Sequence, residues 1–320
     1  MTSTVTVVIA CDSHARSIPG CLDSVLSQAG VVVEVLLLDD RSNDWTSAVV
    51  AAAARMDARV SVPGGSAGGL PNIGDALTSA SGSHTVLLGV DDRLAPGALA
   101  RAAGVFARHP EVGLVYGASL PFDSDDDLPP ARIRPVKPLL WRGLAWIAER
   151  CKTASMGVAA PGIVVRTSLQ RELGTGTPLQ PDKALDEDLA RCLRLAARAD
   201  VAFLRGAHQM YVRGGRDADR PGCRSPIADL RLRKRSFDAL FAVDGPAIVG
   251  ADGLYAMVNR ALAREALSAA AGSDGCGIDL EQTHELEAFA HKAYTDAGEP
   301  WDRRALPLRT PQRPVSRCRG

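Results

Sequence analysis

The sequence predicts an α/β fold: a mostly parallel sheet with helices on both faces, followed by a C-terminal helical extension. Three observations predict it. Continuous apolar runs with strand character recur through the first half of the chain, near residues 5–10, 31–38, 60–62, 84–90 and 112–116. Between them lie segments whose apolar residues return at helical spacing. Two of the runs end abruptly in paired acids, Asp39-Asp40 and Asp91-Asp92, at the strand ends where open α/β sheets bind ligands.

Taken in order, residues 5–10 read as a buried strand. Residues 17–29 follow as a helix, with Ile18, Cys21, Leu22, Val25 and Leu26 on one face. The run 31–38 is a second buried strand, 46–56 a helix of small residues, and 60–62 a short strand before the Gly-rich loop 63–71. Residues 72–80 read as helix, 84–90 as the strand before Asp91, 96–108 as helix and 112–116 as strand. From 123 to 138, acids, prolines and arginines predict a loop. Residues 139–150 then read as a helix with Trp141 and Trp146, which lie roughly 140° apart on it, leaving both a sugar-stacking and a core role open. Residues 162–165 and 201–204 read as strands around a strongly amphipathic helix at 186–198. A Gly/Arg/Asp-rich loop runs to Pro226, then helices near 230–242, 254–271 and 280–296. The last twenty residues hold six Arg and three Pro and are expected to form a disordered basic tail.

At 320 residues and 46% hydrophobic content, the chain suffices for a large core. A formal net charge of zero gives no global pull towards nucleic acid or an acidic membrane. The seven cysteines (Cys11, Cys21, Cys151, Cys192, Cys223, Cys276 and Cys318) are scattered with no C-x-x-C pair, which favours neither a zinc knuckle nor a redox pair. A reducing cytoplasm is the expected location. No apolar stretch approaches the ~20 residues that span a bilayer, and Asp12 cuts the first apolar run short, so neither a transmembrane segment nor a signal peptide is expected.

The chemistry concentrates at Asp91-Asp92. Adjacent carboxylates repel, and a divalent cation is their natural counter-charge; Mg²⁺ commonly takes one or two carboxylates plus substrate phosphates. This points to metal-assisted chemistry on a phosphorylated substrate. The alternative is a solvated acid pair at a strand end. Asp39 and Asp40 have the same two readings: a carboxylate at a strand tip can accept the imide N–H of a uracil base, or it can end a strand and cap the next turn.

The succession of motifs resembles family 2 glycosyltransferases, over roughly residues 4–215. The opening strand and Cys21-Leu-Asp-Ser-Val-Leu-Ser-Gln28 look like the family's first strand and its S-V-L-x-Q helix. The run Val35-Leu-Leu-Leu-Asp-Asp-Arg-Ser-Asn-Asp-Trp-Thr46 looks like V-V-D-D-G-S-x-D-G-T. Gly64-Gly65, Asn72-Ile-Gly74 and Asp91-Asp92 with Pro96 follow in the family's order. The resemblance implies a GT-A, Rossmann-like fold and inverting transfer from a UDP-, GDP- or dTDP-sugar, with Mg²⁺ or Mn²⁺ as cofactor. The acceptor is then a small molecule or glycan, in natural-product or surface-glycan biosynthesis. A homodimer is left open.

The resemblance implies roles for particular residues. Asp40 reads the base with Asp39 beside it, and Ala10, Asp12, Gly65, Asn72 and Asp91 line the donor. Asp91 and Asp92 hold the metal, with His208 as a further candidate in a segment, His208 to Arg213, where relatives carry Y-R-x-H. Glu187-Asp188 matches an E-D pair at a helix start, with Asp188 as the base; acids there also favour a helix N-terminus through its dipole. His14 joins Asp12 as a candidate for the donor pocket.

The chain departs from the pattern at three points. Gly89 stands in the first acid's place of D-x-D-D, Pro71 replaces an Arg, and Ala10-Cys11-Asp12 lacks the usual base-stacking Tyr. A catalytically impaired binding or accessory protein of the same fold is therefore the alternative. A nicotinamide dehydrogenase is disfavoured, because no Gly-x-Gly-x-x-Gly follows the first strand. The expected organisation is a catalytic domain at 1–215, divided into a nucleotide-sugar half (1–118) and an acceptor half (119–215). A helical extension at 216–300 and the tail at 301–320 follow.

Overall fold

The computed structural model describes residues 3–11, 14–39, 45–63, 73–133, 137–155, 162–173, 184–213, 225–271 and 280–299, with only the helical backbone at residues 78 and 184–188. Its first half follows the apolar periodicity closely. Strand β1 (Thr4–Ala10), helix α1 (Ile18–Leu26), β2 (Val32–Leu38), α2 (Thr46–Met56), β3 (Val60–Ser61), α3 (Ile73–Ser79) and β4 (His84–Gly89) alternate along the chain. Helix α1 carries Pro at its first turn and buries Ile18, Cys21, Leu22 and Val25, the stripe that its spacing predicts. The strands pair in parallel in the order β3-β2-β1-β4, so the C-terminal ends of β1, β2 and β4 share one edge.

After β4 the chain turns into β5 (Arg93–Leu94) and α4 (Ala98–Arg108). Gly97 precedes α4 at φ 70°, a left-handed conformation that glycine adopts without strain. Gln28, the end of the Ser-Val-Leu-Ser-Gln run, secures this junction. It is buried, donates to the Ala95 carbonyl (3.1 Å) and accepts from the Leu99 amide (3.3 Å).

The second half is less regular. Strand β6 (Val112–Phe122) runs well past the 112–116 expected from its apolar core, and β9 (Asp200–Arg213) extends far beyond 201–204. The two pair in parallel, with register shifts near Gly117 and Ala118. The polar break Arg205-Gly206 that truncates the sequence pattern falls beside these shifts, and Gly206 adopts φ 81°. Residues 139–150 are not one helix: β7 (Leu139–Trp141) pairs antiparallel with β9 before α5 (Gly143–Thr153) begins. Partnership with β9 overrides the helical periodicity. Strand β8 (Val164–Arg166) inserts antiparallel between β4 and β6, and β5 is antiparallel to β9. The sheet is thus fully parallel in its first half and mixed in its second.

Helices α6 (Thr167–Leu173), α7 (Ala184–Ala196), α8 (Pro226–Val243), α9 (Ala251–Ala271) and α10 (Leu280–Asp296) complete the fold. One apolar cluster runs from Leu114 and Val165 through Trp146 and Leu193 to Phe237, Leu262 and Leu286. The C-terminal helices therefore share a core with the second half of the sheet. Trp146 belongs to that core: it packs edge-on to Tyr116, and its Nε1 donates to the Tyr116 hydroxyl (3.2 Å). A separate cluster joins β1, β2 and β4 to α1 and α4. Among the described residues, no helix is long and apolar enough to cross a membrane.

Candidate functional site

The common edge of β1, β2 and β4 carries half-buried Ala10, half-buried Asp39 and the acid pair. Next to Ala10 the Cys11 thiol is buried, and its burial and then the charge of Asp39 push it up to about 12. It is an inert thiol at neutral pH. Asp12, Asp40, Gly65, Pro71 and Asn72 lie outside the described residues.

The two acids face different surroundings. The Asp92 amide donates to the Gly89 carbonyl at 3.0 Å, closing a tight turn that projects Asp91. The Asp91 side chain is 29% exposed. It accepts a short hydrogen bond from the Ser17 hydroxyl (2.5 Å) just before α1, and His14 Nε2 stands 3.5 Å from its other oxygen. Asp92 is only 7% exposed and accepts from the Arg213 amide at 3.2 Å. It folds back towards Gly89, where an added Cβ would lie 3.0 Å from Asp92 Oδ2. A glycine at position 89 therefore leaves room for the Asp92 carboxylate. Of the pair, Asp91 is the more exposed.

His208 is held elsewhere. Its Nδ1 accepts from the Arg132 amide, and its own amide donates to the Arg132 carbonyl, each at 3.0 Å. Burial, then Arg132 and Arg101, lowers its pKa, which suits a neutral ring bracing the 131–133 segment. Among the described residues no three His, Cys, Asp or Glu side chains are grouped to hold a cation. The structure thus does not assemble Asp91, Asp92 and His208 into one ligand set. Glu187 and Asp188 fall in the first turns of α7, anchored further along by buried Leu189, Cys192 and Leu193.

Ser17, Arg93 and Asp125 are site neighbours that sequence reasoning missed. Ser17 had a weak signal, as the polar residue preceding the Pro-containing first turn of a helix. Arg93 directly follows the acids, but nothing in the sequence marks it as buried.

With this geometry in place, the comparisons with known proteins are specific. Residues 6–159 match the family "Glycosyl transferase family 2". This region is a glycosyl transferase family 2 domain. A stretch of 122 residues is 33% identical to an uncharacterised Mycobacterium tuberculosis protein, MT1568, covering 38% of each chain. The match thus spans well under half of that relative. Among solved structures, S. aureus TarS residues 1-349 aligns over 93% of this chain and 81% of its own, with a TM-score of 0.62 and 17% identity. The complex of the same TarS fragment with UDP-GlcNAc gives a TM-score of 0.61 at 16% identity over the same shares. The mannosyltransferase PcManGT from Pyrobaculum calidifontis, in complex with GDP-Man and Mn²⁺, covers 93% of this chain and 86% of its own, at a TM-score of 0.51 and 16% identity. At such identities these structures establish the GT-A fold.

Proposed function

We propose that the chain is an inverting glycosyltransferase that moves a sugar from a nucleoside-diphosphate donor to an acceptor hydroxyl or amine. The observation that carries the reading is the part-exposed Asp91 carboxylate, held by Ser17 at the shared strand edge inside the family 2 region. The sugar nucleotides in the TarS and PcManGT complexes support a UDP- or GDP-sugar as donor.

The residues fit a divalent cation of the Mg²⁺ or Mn²⁺ type. Such ions need few protein ligands when phosphate oxygens and water supply the rest, and Asp91 offers one hard, accessible carboxylate. Asp92 supports the turn from behind. When bound, the cation supplies positive charge that stabilises the departing diphosphate. In this reading, Asp39 and Asp40 engage the base and ribose, and Ala10, Asp12, Gly65 and Asn72 line the donor.

Asp188 takes the acceptor proton as the acceptor oxygen or nitrogen attacks the anomeric carbon. The bond from that carbon to the diphosphate oxygen breaks on the opposite face, so the anomeric configuration inverts. Glu187 shapes the helix start beside it.

Incubation with a panel of nucleotide sugars, with and without Mn²⁺, tests the proposal through released nucleotide and the anomer of the product. Asp188→Asn is expected to keep donor affinity and to lower turnover by ~10²–10⁴-fold, the usual worth of a positioned base. Normal turnover in that variant removes Asp188 from the role. Donor binding without any turnover in the wild type supports the non-catalytic alternative instead.

A further inference from the structure

Arg93, which follows the acid pair, is 2% exposed. A guanidinium has five N–H donors and a permanent charge, so burying it demands close pairing. Its Nη1 donates to the carbonyls of Val90 (3.1 Å) and Asp92 (2.9 Å). These are the two carbonyls that flank Asp91. Its Nε and Nη2 form a two-pronged pair with Asp125, at 2.8 and 2.9 Å.

Asp125 belongs to a short helical turn, Asp125–Asp127, after β6. Arg213, at the end of β9, closes the group. Its Nη2 donates to Asp125 (2.7 Å), its Nη1 to the Asp123 carbonyl (3.0 Å) and its amide to Asp92 (3.2 Å). The Phe122 ring lies against both guanidinium groups, at 5.7 Å from Arg93 and 4.7 Å from Arg213. Space for Arg93 exists because α1 carries Gly20, where a Cβ would stand 2.7 Å from Nη2.

The two guanidinium groups share the Asp125 carboxylate. Apolar residues often replace a buried charge at no loss of stability, so stability alone does not account for the burial of Arg93. An apolar side chain would fill the space but would leave the Val90 and Asp92 carbonyls unheld. The hydrogen bond from Arg93, ahead of the Arg93 and Arg213 charges, keeps Asp125 below the usual carboxylate range. Asp125 is therefore ionised as an anchor at neutral pH.

We propose that Arg93 is a positioning residue that fixes Asp91, and that Asp125 acts through it as a remote anchor for donor-site affinity. This inference rests on the reading of Asp91 as the donor-site acid. Partners of this kind behind a metal-binding carboxylate are typically worth 10–100-fold in metal affinity.

The test titrates the full chain with UDP and with GDP, with and without Mn²⁺, by calorimetry. The variants are Asp91→Asn, Asp125→Asn, Asp125→Glu, Arg93→Lys and the double variant Arg93→Lys/Asp125→Asn. Circular dichroism and the unfolding midpoint confirm that each is folded. Asp125 is 44% exposed, so Asp125→Asn keeps the proposal testable even if Arg93→Lys fails to fold. Asp125→Asn is expected to weaken Mn²⁺-dependent nucleotide affinity roughly 10- to 100-fold, with Mn²⁺-independent affinity unchanged. Asp125→Glu should recover most of the loss, and adding Asp125→Asn to Arg93→Lys should add little.

Wild-type affinity in folded Asp125→Asn overturns the proposal. So does a full additional loss in the double variant, which would mean that Asp125 meets the ligand itself. If the wild type shows no Mn²⁺-dependent affinity, or Asp91→Asn retains it, the donor-site reading of Asp91 fails first, and the positioning role falls with it.

Discussion

Strands β1 to β4 come from one continuous stretch of alternating strand and helix and pair in parallel with one another, in the order β3-β2-β1-β4. Strands β6 and β9 also pair in parallel, but β7, α5, β8, α6 and α7 intervene, and β8, β5 and β7 join antiparallel around them. The cluster that packs α1 and α4 against β1, β2 and β4 also takes in Val112, Val115, Val164, Ala202 and Leu204 from the later strands. The second half closes its core with α8, α9 and α10, which lie beyond the last strand. The difference separates a first half built from one continuous stretch from a second half closed by helices beyond its last strand. The Arg93–Asp125–Arg213 group ties the two together beneath Asp91.

The largest expected effect tests whether the C-terminal helices belong to the second half. Phe237 of α8 is fully buried in the shared cluster. Phe237→Ala should lower stability by about 3–5 kcal/mol in urea unfolding, the usual range for a buried aromatic. A loss below about 1 kcal/mol, with the sheet unfolding unchanged, would make those helices an appendage.

Two glycines sharpen the contrast through opposite signs. A Cβ on Gly143, where β7 gives way to α5, would stand 1.9 Å from the Ala196 carbonyl oxygen and 2.3 Å from that of Ala199. Backbone cannot yield as a side chain does, so Gly143→Ala should cost about 3 kcal/mol, the upper range for overpacking. Gly104 lies within α4, and a Cβ there meets only the Arg108 side chain, at 3.4 Å. Gly104→Ala should stabilise by about 0.5–1 kcal/mol through helix propensity. Matching unfolding midpoints for the two variants would contradict the packing described at the β7–α5 junction.

His84, at the start of β4, stacks on Phe106 with ring centroids 4.3 Å apart. Burial, and then the nearby Arg166, lowers its pKa from the ordinary 6.5 to about 4. The unfolded chain binds this proton below about pH 6.5, whereas the folded chain resists it until about pH 4. The contribution is therefore fully present above pH 6.5 and is lost as pH falls through the window. A shift of that size corresponds to a loss on the order of 3 kcal/mol. His84→Gln should flatten the pH dependence of stability between pH 6.5 and 4; an unchanged slope would show that other groups carry it.

The same comparison explains what was legible beforehand. The strands before Asp39 and Asp91 stood out because each is an apolar run buried on both faces and stopped by charge. Helix α7 was legible from its stripe of Leu189, Cys192, Leu193 and Ala196. The true lengths of β6 and β9 were not, because Arg205 and Gly206 interrupt the apolar pattern where the strand pair shifts register. Strand β7 was hidden by helix-like spacing that pairing with β9 overrides. In the site, Asp91 was legible as an acid at a strand end. That Asp92 turns inward, that Arg93 is buried and that Asp125 anchors it all depend on contacts between residues far apart in sequence.

The central claim is that Asp91 is the acid through which this fold meets a nucleoside diphosphate. Calorimetric titration of the wild type and Asp91→Asn with UDP and GDP, each with and without Mn²⁺, tests it most directly. The account predicts Mn²⁺-dependent binding of at least one nucleotide by the wild type and loss of that dependence in a folded Asp91→Asn. Equal Mn²⁺-dependent affinity in the two proteins would contradict it.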